Sequence, residues 1–368
     1  MKLLYITNQI CGAAGLERVL SIKATALADN YGYEVHIITL NQGKLPLFYS
    51  FSKKIKYHDI TANGNSINYF RKYLIGIKAK VNEIAPDVIS VCDDGLKGFL
   101  LPILLRKPCP MIYERHVSKE IEKTTEKINL FKSIKRHIIY KLMYYGGASY
   151  DKFIVLTQKN LNEWPLKNTL VINNPLSYNL DTKKSDLTEK VVLAVGRHSY
   201  QKGYDRLLSA WEKVIIANPD WKLLIFGKKD KSLGLKKIAD DMNLHNSVYF
   251  NDPVKNINEQ YQKASIFVLS SRYEGFGMVL IEAMIHGVPC VSFDCPYGPS
   301  DIIDHNRSGL LVKNGDINDF ANQIKKLINS EKLRREIGKK AVEKARKFSP
   351  EIIIPQWVEL FKSLNINK

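Results

Sequence analysis

Two glutamates stand eight positions apart, Glu274 and Glu282, in residues 272–303, RYEGFGMVLIEAMIHGVPCVSFDCPYGPSDII, a stretch otherwise largely apolar or rich in glycine. A carboxylate withdrawn from water is costly unless it is paired or hydrogen-bonded, so Glu282, inside MVLIEAMIHG, demands a polar partner from the protein or from a ligand. Gly275 and Gly277 permit a tight turn with bare backbone amides. The helix that the pattern opens near Met278 aims its positive amino end at that turn, a place suited to a diphosphate. Glu282 falls in the second turn of this helix, about 6 Å along the axis from Met278 at 1.5 Å per residue. A carboxylate beside a diphosphate suits the two hydroxyls of a nucleotide ribose. Glu274, in the loop before the helix, lies to the other side of the phosphates, where it is placed to hold a transferable sugar. The plain structural readings are a favourable helix-end charge for Glu282 and an exposed turn residue for Glu274.

A second anion-binding element points the same way. GRHSYQKG follows the apolar run KVVLAVG and sets Arg197 and Lys202 in a glycine-flanked loop ahead of the helical pattern YDRLLSAWEKVI. Breaking a bond between a sugar and a diphosphate builds negative charge on the leaving phosphate, which cations and amides already in place stabilise. No D-x-D pair occurs in the sequence, so the usual carboxylate scaffold for a metal-bound nucleotide sugar is missing. Arg197, Lys202 and the helix end are expected to stand in for a metal, with no metal site and no cofactor beyond the donor substrate.

The elements that must position these groups read as α/β. KLLYITN, YEVHIITL, DVISVCD, PMIYERH and DKFIVLT alternate with amphipathic stretches such as LERVLSIKATALADN, and a second series follows: KVVLAVG, WKLLIFG, SVYFND, SIFVLSS and PCVSFDC. Such alternation implies parallel strands, helical crossovers and binding loops at the carboxyl ends of the strands. The polar stretch SYNLDTKKSDLTEK separates the two series and reads as a linker near 177–189. The expected division is one α/β domain over 1–176, a second over 190–349 and a terminal helix over 350–368, with a ligand cleft between the two domains. PEIIIPQWVELFKSL is too apolar to float free, and Trp357 and Phe361, one turn apart, are expected to pack it back on the first domain.

Composition sets the outer bounds. A chain of 368 residues, 45% hydrophobic, can bury the cores of two domains. The start MKLLYIT is too short an apolar run for a signal peptide and reads as a first strand. Five cysteines, an odd number with no C-x-x-C pair, suggest neither a disulfide framework nor a zinc site, and the expected compartment is the cytoplasm. The net charge of +18, about +11 of it in residues 1–180 and +7 in the rest, favours anionic partners. A nucleic-acid-binding protein would use such charge, but the basic residues are dispersed and no recognisable nucleic-acid motif occurs. Residues 128–145, INLFKSIKRHIIYKLMYY, set Phe131, Ile134, Ile138 and Leu142 at helical spacing among Lys132, Lys135, Arg136 and Lys141. Two readings stand side by side: a helix lying on anionic lipid at the inner face of the cell membrane, or a domain helix with its apolar stripe on the core.

Taken as an ordered set, G-R-H-S-Y-Q-K-G, E-G-F-G-M-V-L-I-E, G-V-P-C-V-S and G-P-S-D-I-I resemble the retaining glycosyltransferases of family 4. The resemblance is strong from Val191 to Val312 and weaker before it. It implies the two-domain glycosyltransferase-B fold, with an acceptor-binding domain over 1–176, a nucleotide-sugar-binding domain over 190–349 and the donor in the cleft between them. It sets Arg197 and Lys202 on the donor diphosphate, Glu282 on the ribose and Glu274 on the donor sugar. It adds the main-chain groups of Gly275, Phe276, Gly277, Met278 and Val279 to the phosphate site and those of Pro253 and Val254 to the base. His116, among eight histidines, matches a family histidine near the donor sugar. Gly15 matches the second of a glycine pair, and Ala14 stands where the first is common. The implied reaction is retaining transfer of a hexose or N-acetylhexosamine, UDP-linked by preference, to a glycan or polyprenyl-diphosphate-linked oligosaccharide in bacterial surface polysaccharide synthesis. CPYGPSDII is most like enzymes of the galactosyl and N-acetylgalactosaminyl type. A nucleotide-sugar epimerase or hydrolase of the same architecture is the alternative; a dinucleotide dehydrogenase is disfavoured because no G-x-G-x-x-G follows an early strand.

Overall fold

The computed structural model describes residues 1–93, 95–119 and 130–366. The chain separates into two compact units, Met1–Ser177 together with Pro350–Lys368, and Tyr178–Ser349.

The first unit is built on β1 (Lys2–Ile6), β2 (Glu34–Leu40), β3 (Lys56–Ile60), β4 (Val88–Val91), β5 (Met111–Glu114), β6 (Lys152–Val155) and β7 (Thr169–Val171). Among the described residues these form one parallel sheet in the order β3-β2-β1-β4-β5-β6-β7. Leu3 of β1 pairs with Val35 on one side and Val88 on the other, so the chain order reverses between β1 and β4. In open α/β sheets ligands gather at the carboxyl ends of the strands flanking such a reversal. The strands VISV and MIYE are buried along their whole length, as expected of a parallel sheet covered on both faces. The helix Pro350–Ile366 supplies part of that cover, with Ile353, Trp357 and Phe361 sharing a core with Leu3, Tyr5 and Ile37.

The second unit repeats the plan with β8 (Val191–Val195), β9 (Lys222–Phe226), β10 (Val248–Asn251), β11 (Ile266–Leu269), β12 (Cys290–Asp294) and β13 (Leu310–Lys313), in the order β10-β9-β8-β11-β12-β13. Its core includes Trp211, Phe293 and Phe320, the last two with ring centroids 4.3 Å apart. The polar stretch read as a linker is tied into this unit. The Ser185 amide donates to the His286 carbonyl (2.8 Å), its hydroxyl donates to the Ala264 carbonyl (2.7 Å), and Arg334 donates to the Leu187 carbonyl (3.2 Å). The second unit accordingly begins at Tyr178. Composition marks charge and polarity, whereas these main-chain bonds leave no compositional trace.

Part of segment 128–145 lies outside the described residues, which resume with the helix Leu130–Ala148. That helix has an inner face, on which Met143 is buried and Ile139 and Tyr140 pack on the core. Ile134, Ile138 and Leu142 point the other way and, with Tyr145, are 41 to 67% exposed. The stripe predicted from spacing therefore faces outward over its described part, with Lys135 and Lys141 also exposed. Among the described residues no helix is long and apolar enough to cross a membrane.

Candidate active site

In the second unit the chain order reverses between β8 and β11, neighbours in the sheet through the pairs Val192–Ile266 and Leu193–Phe267. Adjacent strands bring the loops that follow them together, and those loops carry the two sequence motifs. The loop after β8 runs from Gly196 through a 3-10 turn, Tyr200–Lys202, into the helix Tyr204–Ile215. It is stitched to the loop after β11 at several points. The Ser270 hydroxyl donates to the Lys202 carbonyl (2.8 Å), the Arg272 amide to the Gln201 carbonyl (2.7 Å), and the Gln201 side chain to the Tyr273 carbonyl (3.0 Å). Arg272 clamps the same loop from its side chain. It donates to both carboxylate oxygens of Asp205 (2.9 and 2.6 Å) and to the Tyr200 carbonyl (2.8 Å), and lies 4.0 Å over the Tyr200 ring. Bidentate arginine–carboxylate pairs are strongly directional, so this clamp sets the loops' geometry as well as their stability.

Lys202 and Glu274 meet inside this frame, Nζ to Oε1 at 2.7 Å, and the Ser271 hydroxyl donates to the same oxygen at 2.6 Å. Glu274 is only 5% exposed, which rules out the exposed-turn reading; its charge is carried by the lysine and the hydroxyl. Arg197 differs from Lys202. Its side chain is exposed and has no hydrogen bond or ion pair among the described residues.

The turn that follows ends at Gly277, whose φ of 100° lies in the region that favours glycine, and the helix Met278–Ile285 begins there without a side-chain cap. The first-turn amides of a helix lack acceptors within it; here the Leu280 amide turns back to the Gly277 carbonyl (2.8 Å), and the helix start has the polarity that suits an anion. The Phe276 side chain is buried edge-on against Phe348, 5.6 Å between ring centroids, leaving only its main chain for a ligand.

Glu282 is 1% exposed, and its partner is protein: the Tyr261 hydroxyl donates to Oε2 at 3.0 Å. Tyr261 in turn stacks on His286, whose Nδ1 lies 2.7 Å from the Glu282 carbonyl oxygen and whose Nε2 lies 2.8 Å from the Asn258 side chain. Burial is the main cause holding the His286 pKa below its usual value, which keeps the ring neutral. Sequence reasoning missed Tyr261, since nothing in NEQYQKAS announces a ligand-side role, and it passed over Arg272, although that cation stands within the quoted motif.

The remaining residues occupy other places. Pro253 and Val254 are exposed just beyond β10, two strands from β8. Gly15 and His116 belong to the first unit. Gly15 opens the helix Gly15–Asp29, and Ala14 before it has φ −86° and ψ 174°, extended backbone that alanine adopts without strain. His116 follows β5 with Nε2 3.3 Å from a Glu114 carboxylate oxygen.

Residues 179–344 match the family model for glycosyl transferases group 1, and residues 9–155 match that for glycosyl transferase 4-like proteins. The amylovoran biosynthesis glycosyltransferase AmsD of Erwinia amylovora is 31% identical, over 98% of this chain and 99% of its own length. The lipopolysaccharide 1,6-galactosyltransferase of Escherichia coli K12 is 24% identical, over 90% of each chain. Among solved structures, Staphylococcus aureus TarM in complex with Fondaparinux, alpha-GlcNAc-glycerol and UDP shares the fold with a TM-score of 0.79 at 19% identity, over 98% of this chain and 100% of that one.

Proposed function

The chain belongs to the group 1 glycosyl transferases and has the glycosyltransferase-B fold, and on that premise we propose that it transfers a hexose or N-acetylhexosamine from a UDP-linked donor, with retention, to a glycan or polyprenyl-diphosphate-linked oligosaccharide in bacterial surface polysaccharide synthesis. The observation that carries this reading is the joining of Lys202, Glu274 and the uncapped turn before Met278 at the β8–β11 reversal, with Arg197 exposed in the same loop as Lys202. Relatives that build amylovoran and lipopolysaccharide support the pathway class, and a fold shared with a UDP-bound enzyme supports the donor class.

The chemistry follows from charge. The bond from the anomeric carbon to the diphosphate oxygen breaks, its electron pair leaves with the phosphate, and the acceptor oxygen forms the new bond on the same face. The acceptor proton passes to the departing phosphate oxygen. Negative charge thus grows where Arg197, Lys202 and the amides of Gly275, Gly277, Met278 and Val279 are aimed, and stabilising it lowers the barrier. No divalent metal is required in this scheme. Glu274 holds the donor sugar and His116 serves the same substrate. Glu282 takes the ribose through its carboxylate, which offers about four lone-pair sites, one of them approached by the Tyr261 hydroxyl.

Glu282→Gln is expected to weaken UDP binding about 10- to 100-fold, the equivalent of the roughly 1.5–3 kcal/mol of charge-assisted hydrogen bonding it removes. Titration calorimetry with UDP decides this, and an unchanged dissociation constant refutes the ribose role. Product analysis with and without acceptor separates transfer from the epimerase or hydrolase alternative, because only those two consume donor alone.

The proposed acceptor includes lipid-linked glycans, and the outward stripe of the helix Leu130–Ala148 suits peripheral attachment to anionic lipid. Ile134, Ile138, Leu142 and Tyr145 would dip below the headgroups while Lys135, Arg136 and Lys141 meet them, each cation contributing on the order of 1 kcal/mol. In liposome flotation, wild type is expected to rise with anionic vesicles at low salt, and the variant with Lys132, Lys135, Arg136 and Lys141 changed to glutamine is expected to stay behind. Equal, negligible flotation of both removes the membrane from the reading.

A further inference from the structure

Lys23 sits in the middle of the helix Gly15–Asp29 and is 0% exposed. An ammonium that far from water persists only with strong partners. It is ion-paired with Glu114 Oε2, and it lies 3.7 Å from the centroid of the Trp357 ring and 5.1 Å from that of Tyr5. Glu114 ends β5 and is 1% exposed. Its other oxygen accepts from the Ser90 hydroxyl, and Oε2 also faces His116 Nε2 at 3.3 Å. Burial by itself would raise the Glu114 pKa, but the charge of Lys23 and the hydrogen bond with His116 outweigh it and hold the carboxyl at about 2.

Cys92, Glu114 and His116 bring three ligand atoms within 4.8 Å of one another, the spacing of a small metal site. The Lys23 ammonium already fills the cation's place, on the very oxygen that faces the histidine. The cluster therefore reads as a fixed charge network with the imidazole at its edge. A carboxylate made permanent in this way is an acceptor, and an acceptor at Nε2 selects which ring nitrogen carries the proton.

We propose that Lys23 is a positioning residue for His116: by neutralising Glu114 in the core it fixes that carboxylate as the acceptor for His116 Nε2–H, and Trp357 brings the C-terminal helix into the same network. Without Lys23 the carboxylate is buried and uncompensated, so it draws a proton or pulls the imidazole out of register. The catalytic consequence rests on the reading of His116 given above; the placement of its proton does not.

The test is nitrogen-detected NMR of histidine-labelled protein at mildly alkaline pH, with the His116 signal assigned by its loss in His116→Asn. In wild type the proton is expected on Nε2. In Lys23→Met the signal is expected to leave that tautomer, and kcat to fall about 10- to 100-fold with donor KM changed less than twofold. Trp357→Leu is expected to shift the signal in the same direction by a smaller amount. A wild-type His116 carrying its proton on Nδ1 overturns the inference without any Lys23 variant, as does a folded Lys23→Met with the wild-type tautomer. A displaced signal with unchanged kcat upholds the positioning and instead removes His116 from the catalytic reading.

Discussion

Arg197→Ala is expected to lower kcat by about 10²–10³-fold while donor KM changes by less than tenfold, because the leaving phosphate gains negative charge only as the transition state forms. Arg197 is the clean probe. It is exposed and has no hydrogen bond or ion pair among the described residues, so alanine leaves no buried group stranded. Lys202→Ala should produce a fall at least as large, part of it from Glu274, which would lose its ion-pair partner while 5% exposed. Comparing Lys202→Ala with Lys202→Ala/Glu274→Gln separates the two contributions. Turnover should be unchanged by EDTA. A strict requirement for manganese or magnesium would show that these cations do not do a metal's work.

Gly203→Ala should lower the second unit's stability markedly. Gly203 has φ 62°, and a Cβ there would lie 2.3 Å from the Ser270 carbonyl oxygen. The left-handed backbone costs a non-glycine residue about 1–2 kcal/mol, and displacing packed main chain about 1–3 kcal/mol more. For a domain of this size each kcal/mol moves the melting temperature by about 2–4 °C, so a fall of about 5–15 °C is expected. Gly234→Ala is the internal control. It shares the left-handed backbone, φ 59°, but nothing lies within 4 Å of its Cβ position, so only the smaller conformational cost applies. Equal shifts in the two variants, read by thermal unfolding, would mean that the Lys202 loop is not held against the end of β11. Activity should fall with stability in Gly203→Ala alone, since that contact sets where Lys202 stands.

The strands that sequence pattern reveals are those with enough apolar length. All ten quoted runs form strands, from β1 to β12. The three left unread are β3, β7 and β13, and each lies at the edge of its sheet. KYHDI is exposed or half-buried except at its last residue, and TLV has three residues, none fully buried. Strands so short and half-solvated carry too little hydrophobic periodicity to be seen. The site divides along a similar line. Glycine turns, loop cations and the two glutamates carry their chemistry in their residue types. Tyr261 beneath Glu282, the Arg272–Asp205 clamp and the Lys23–Glu114 pair depend on which strands are neighbours, and that is set by topology. Lys23 shows the limit best: within LERVLSIKATALADN a lysine looks like the polar face of an amphipathic helix, and only its buried partners show otherwise.

The helix Pro350–Ile366 belongs to the first unit although the whole second unit precedes it in the chain. On the ribosome, then, residues 1–177 emerge lacking the roof of their own core, with Leu3, Tyr5 and Ile37 still awaiting Ile353, Trp357 and Phe361. Tyr178–Ser349 is continuous and can close as soon as it has emerged, which reverses the usual order in which the earlier piece of a chain folds first. Until then the Lys23 ammonium waits without the Trp357 ring. A ribosome stalled shortly before Pro350 would hold a finished second unit and an open first one, a natural moment for chaperone capture and a simple reason why short deletions from the tail should cost more folded protein than their length suggests.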